Sequence, residues 1–173
     1  MNYRTYCKLG ALFTIILGSI LHFTYDFFET DFTAIFSAVN ESTWEHLKLL
    51  FFPVMIFAII EYFIYGKKYT NFWASKVISL LIGMLAIVVV FYTYTGIIGE
   101  SSGIFNILLF VASTILTYWL NCMFIENELF KSEILNKIAV ILAIIIFAMF
   151  WIYTFYPPLI NLFRDPVTGG YGI

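Results

Sequence analysis

Residues 75–98 read SKVISLLIGMLAIVVVFYTYTGII, 24 positions that carry one charge, Lys76. About 20 consecutive apolar residues are enough to cross the hydrocarbon core of a bilayer as a helix. A lone strand would leave its backbone polar groups unpaired in lipid, and the run lacks the period-two alternation of a barrel strand. The segment predicts a transmembrane helix. Four other segments behave alike, at residues 9–28, 47–65, 104–125 and 134–156. The expected fold is all-α: a polytopic transmembrane bundle of five spans, forming a single membrane domain over residues 1–173.

Composition leads to the same place. The chain has 173 residues, 62% hydrophobic and 12% charged, where a soluble domain carries about 25% charged residues. A water-soluble fold of this size buries only about 70% of its extended surface and would wear an apolar skin that aggregates. A bilayer removes that conflict. No Pro/Gly/Ser-rich linker and no internal repeat divides the chain. A net charge of -2 without a basic patch gives no footprint for nucleic acid. Cys7 and Cys122 fall in different spans, toward the same side, and read as small apolar fillers rather than a disulfide framework. P-loop, Rossmann, C-x-x-C and G-x-S-x-G signatures are missing, so nucleotide-binding and oxidoreductase readings have no residues to carry them.

Residues 9–28 superficially resemble a signal peptide, with Arg4 and Lys8 ahead of an apolar run. The run is long, it contains His22 and Asp26, and no small-x-small cleavage site follows, so it reads as a retained helix. Arg4, Lys8, Lys67, Lys68, Lys76, Lys131 and Lys137 lie on the side of the N-terminus, against Lys48 and Arg164 on the other side. The positive-inside rule then puts the N-terminus in the cytoplasm. Five spans put the C-terminus outside, together with the two longest non-helical pieces, residues 29–45 and 157–173.

The ionisable residues concentrate on that outer face. His22 and Asp26 are four apart, hence on one face of the first helix. Ionisable groups at membrane depth are expensive and face protein or water. The run Asn40-Glu41-Ser42-Thr43-Trp44-Glu45-His46-Leu47-Lys48 opens the second helix. Ser42 and Glu45 match a capping box, and Trp44 suits an aromatic belt. Glu41, His46 and Lys48 exceed what a cap requires. In the tail, Pro157-Pro158 stop the fifth helix, and the run from Arg164 and Asp165 through Gly169-Gly170 to Tyr171 specifies turns that fold back over the bundle mouth.

His22, Asp26 and His46 are residue types that ligate zinc or a similar divalent metal, with Glu41 or Glu45 as a further ligand or general base. Lys48 or Arg164 could stabilise developing negative charge. Asn40, Ser42, Trp44, Asp165 and Tyr171 would bind substrate or shape the site. The spacing is not that of a zincin. The same residues suit a second reading, a small-solute or proton-linked transporter, a channel component or a non-enzymatic accessory subunit; a homodimer would enlarge its path. Glu61 lies about 24 Å along the helix from Glu45 at 1.5 Å per residue. It is expected to snorkel or pair with a lysine, or else to act as a gate or proton relay. Pro53 is expected to bend the second helix, and Gly10, Gly18 and Gly83 to mark close helix contacts.

N-E-S-T-W-E-H-L-K-L-L-F-F-P (residues 40–53), H-F-T-Y-D (residues 22–26) and the tail Y-P-P-L-I-N-L-F-R-D-P-V-T-G-G-Y-G-I (residues 156–173) resemble a family of small prokaryotic multi-helix membrane proteins, grouped as a domain of unknown function. Its motif positions correspond here to His22, Asp26, Asn40, Glu41, Ser42, Trp44, Glu45, His46, Asp165, Gly169, Tyr171 and Gly172. The resemblance implies a shared outer-face site or scaffold in a prokaryotic cell membrane and brings no activity with it.

Overall fold

The computed structural model describes residues 2–173. It contains α1 (Tyr3–Phe28), α2 (Asp31–Phe36), α3 (Thr43–Ile64), α4 (Phe72–Ile98), α5 (Gly103–Glu126) and α6 (Glu133–Phe155), with short 3₁₀ turns at Gly66–Lys68 and Asn161–Phe163. Five of these helices are long and apolar enough to cross a membrane. Side chains start them: Asn2, Ser42, Ser102 and Ser132 each accept a first-turn N–H of the helix that follows, satisfying donors that have no intrahelical partner.

The sixth helix, α2, lies within the first long connection, which the sequence reading treats as non-helical. Thr30 and Thr33 cap it reciprocally. Phe36 anchors it, its ring centroid 5.0 Å from that of Phe52 on α3. With six residues it is too short to stand without such packing.

Burial in α1 is inside out. Tyr3, Cys7, Gly10, Thr14 and Gly18 form its buried stripe, while Leu9, Leu12, Ile16, Ile20 and Phe23 are exposed. Bulky apolar groups out and small or polar groups in is the arrangement a bilayer favours, because lipid gives no hydrophobic drive between helices and close backbone approach must hold them. α3 runs through the centre and packs on α1, α2, α4 and α6; α4 also packs on α5 and α6, and α1 on α5.

Two glycines set the spacing. A Cβ on Gly83 of α4 would stand 1.9 Å from Thr117 Oγ1 of α5, and one on Gly18 of α1 would stand 2.5 Å from the carbonyl oxygen of Leu49 on α3. That carbonyl lies four residues before Pro53, whose missing N–H cannot satisfy it. α1 therefore approaches α3 most closely where proline has interrupted the ladder, and α3 remains a single helix through Pro53.

The two ends of the bundle differ. The lysine-rich end holds the start of α1, where Tyr3 donates to Asn121 at 2.7 Å and Arg4 pairs with Glu126. The opposite, polar end holds α2, the start of α3 and the C-terminal tail.

Candidate functional site

At the polar end, Ser42 caps α3 through Oγ, which accepts the Glu45 N–H at 3.4 Å. The return half of the expected capping box is replaced. Asn40 Oδ1 takes the Ser42 N–H at 2.9 Å, and the Glu45 carboxylate reaches further back, to the Val39 N–H at 3.2 Å. Glu45 is thereby committed to the interior. Lys48 Nζ lies 2.5 Å from Glu45 Oε2, and both side chains are fully buried. The Ala34 carbonyl at 2.8 Å, the Ser37 carbonyl at 3.3 Å and Thr154 Oγ1 at 2.5 Å also lie within hydrogen-bond range of the ammonium, whose three N–H groups are shared among these three oxygens and Glu45 Oε2. The two carbonyls come from α2 and its C-terminal cap, so the short helix exists where a buried cation needs acceptors. Sequence reasoning missed Thr154; its signal was the one threonine of α6, beside Tyr153 at the end of a long apolar run.

One turn of helix beyond the Gly18–Leu49 contact, α1 and α3 bring their histidines together. His22 Nε2 and His46 Nε2 are 3.3 Å apart. Glu41 closes the group from the loop before α3, with its carboxylate oxygens 3.9 Å from His22 Nε2 and 3.5 Å from His46 Nε2. One ligand atom from each of the three lies within 4.8 Å of the others. Nitrogen ligands about 2.0–2.1 Å from a tetrahedral zinc stand about 3.3–3.4 Å apart, so the spacing matches an ion with no large rearrangement.

His46 is oriented for ligation. Its Nδ1 lies 2.9 Å from the Ser42 carbonyl; a carbonyl only accepts, so Nδ1 carries the proton and neutral His46 presents a lone pair at Nε2. Among the described residues His22 has no such orienting partner, and its Nδ1 is buried without a hydrogen bond. The group opens to its surroundings, with side-chain exposures of 31% for His22, 27% for His46 and 50% for Glu41.

The other candidate residues divide clearly. Asp26 is exposed and stands outside the converging group; Glu41 takes the carboxylate position. Glu45 and Lys48 belong to the interior network. Trp44 is buried at 7% exposure rather than lying in a belt at the lipid, because α6 and the tail both cover it: its ring packs 4.7 Å from Phe150 of α6 and 4.8 Å from Phe163 of the tail. Asp165 builds the tail, its carboxylate accepting the Val167 N–H at 2.8 Å and the Thr168 hydroxyl at 2.7 Å. Arg164 and Tyr171 form an antiparallel bridge. Asn40 Nδ2 donates to the Gly172 carbonyl at 2.9 Å, tying the tail to the loop that carries Glu41.

The lysine-rich end holds a second buried pair. Lys76 Nζ of α4 lies 2.5 Å from Glu61 Oε2 of α3, and Tyr65 donates to the same carboxylate. The ammonium also sits 4.9 Å from the centroid of the Tyr118 ring. Of the roles open to Glu61, the structure shows pairing with a lysine. Leu50, Phe51, Val54 and Ala58 fill α3 between the two pairs, all buried.

No curated protein and no solved structure matches this chain. The model of the Family of unknown function (DUF6512) matches residues 2–173, so the chain, a multi-pass membrane protein, belongs to that family.

Proposed function

We propose that the polar end faces the outside of a cell membrane and carries a divalent-metal site, with zinc the ion that suits its donors best, for hydrolysis of a lipid or peptidic substrate. The observation that carries the reading is the convergence of His22 Nε2, His46 Nε2 and one Glu41 oxygen. Two imidazoles and a carboxylate leave a fourth tetrahedral position for water, as in catalytic rather than structural zinc sites. The ion would acidify that water and polarise the scissile carbonyl or phosphoryl group. The Glu41 oxygen not bound to the ion would accept the water proton and return it to the leaving group. Glu45, held by Lys48, is not free to do so. The partial exposure of the three side chains supports access from the membrane surface, and the excess of lysine and arginine at the opposite end supports the orientation. A carrier would need a polar route along the bundle, and α3 contributes only apolar side chains between the two buried pairs.

The test is metal content by mass spectrometry of the full chain purified in detergent, beside His22→Ala and His46→Ala. About one ion per chain is expected, lost in both variants while their helical content and thermal unfolding persist. No ion retained after reloading the intact protein with zinc, or retention in both variants, overturns the reading.

A further inference from the structure

A cavity of about 360 Å³ opens between the start of α3, the end of α4 and the tail, lined by Thr43, Phe91, Tyr92, Asn161, Arg164 and Pro166. Arg164 is its cation. Among the described residues its guanidinium forms no ion pair; of the acids nearest in sequence to the lining residues, Asp165 is engaged within the tail turn, Glu45 with Lys48, and Glu41 stands beside the two histidines.

The tail anchors this exposed arginine through its backbone. Its backbone bridges to Tyr171, and the turn at Gly169 backs the guanidinium so closely that a Cβ there would stand 3.3 Å from Nη2. The other polar groups in the wall are under-used. The Thr43 hydroxyl reaches Tyr92 Oη only at 3.5 Å. Thr43 is also the first residue of α3, at the positive end of the helix dipole. A guanidinium fork, two hydroxyls, the Asn161 amide and a helix start line the cavity, and its lining residues include no carboxylate. That suits a tetrahedral oxyanion, to which a guanidinium binds through two parallel N–H bonds.

We propose that this cavity binds a phosphate group, and that the exposed Leu159 and Ile160 beside it favour a phosphate carried by a lipid over one free in solution. Thr43 lies three positions before His46 on α3, so the cavity and the histidine group are within one helical turn of each other along the helix axis. The phosphate's role as the substrate handle rests on the hydrolase reading; the binding does not.

The experiment uses the full chain in an uncharged detergent. Short-chain phosphatidic acid, the matching diacylglycerol and inorganic phosphate are titrated separately, and the thermal unfolding temperature is read. Phosphatidic acid is expected to raise it saturably and diacylglycerol to leave it unchanged. Arg164→Gln is expected to weaken the phosphatidic acid effect about tenfold or more, with Arg164→Lys intermediate because it keeps charge and loses the fork. Inorganic phosphate as effective as the lipid supports the phosphate site and assigns a soluble source; phosphate weaker than the lipid supports the lipid source. An unchanged lipid response in Arg164→Gln, or a diacylglycerol response equal to that of phosphatidic acid, overturns the proposal. Metal content of the same samples reads the hydrolase proposal separately.

Discussion

Lys48 Nζ and Glu45 Oε2 lie 2.5 Å apart with both side chains fully buried at the polar end of α3. The ammonium has four oxygen neighbours drawn from α2, the loop after it, α3 and α6. The pair therefore gathers the elements around the start of α3, and it sits beside the histidine group without belonging to it.

Removing one partner leaves the other charge buried and alone, which costs about 3–5 kcal/mol. Lys48→Met is expected to lose stability on that scale, and Glu45→Gln/Lys48→Met to lose less than Lys48→Met alone. Unfolding in mixed detergent, followed by circular dichroism, measures both. A double variant weaker than the single one would mean that the pair does not act as a unit.

At the α4–α5 contact, Gly83→Ala places a Cβ against Thr117 Oγ1, and overpacking of this kind costs about 1–3 kcal/mol. Thr117→Ala removes the atom in the way. The double variant is expected to recover most of the thermal stability lost by Gly83→Ala, a coupling that independent sites would not show.

The tail is held by the bond from Asn40 to the Gly172 carbonyl and by the left-handed conformation of Gly172, φ 68°, where a Cβ would come within 2.9 Å of the Thr154 carbonyl oxygen. Asn40→Ala removes this bond and the one it accepts from the Ser42 N–H and should cost about 1–3 kcal/mol, and Gly172→Val is expected to be destabilising as well. Both are expected to speed protease cleavage within residues 157–173 under native conditions. Cleavage at the parent rate in both would show that Phe163 and its aromatic contacts hold the tail alone.

The five long helices were legible because hydrocarbon demands uninterrupted apolar length, and that requirement is written locally in segments such as residues 75–98. The pairing of His22 with His46 was legible as residue type and depth. The choice of Glu41 over Asp26 was not, because it depends on how the loop before α3 turns back through Asn40. Helical spacing put Asp26 on the face of His22, yet its side chain is exposed. Glu45 drew attention as an acid at a helix start. Its partner Lys48 and their acceptors Ala34, Ser37 and Thr154 meet only through tertiary folding, and two of those acceptors are backbone carbonyls that no side-chain pattern announces. Glu61 and Lys76 were each visible, fifteen positions apart, but their pairing follows from the packing of α3 on α4.

That second pair has a consequence for how the chain enters its membrane. Glu45 and Lys48 neutralise each other within one helix, so that end of α3 can leave water with its charges already matched. Glu61 cannot be matched this way; its counter-ion, Lys76, arrives only with the next helix. A solitary charge in hydrocarbon is unfavourable, so α3 enters lipid at lower cost together with α4 than ahead of it. The two are suited to partition together, as a hairpin whose closing turn, Gly66–Lys68, remains among lysines at the water interface. In biogenesis, synthesis of α4 would then set the moment at which α3 commits to the bilayer.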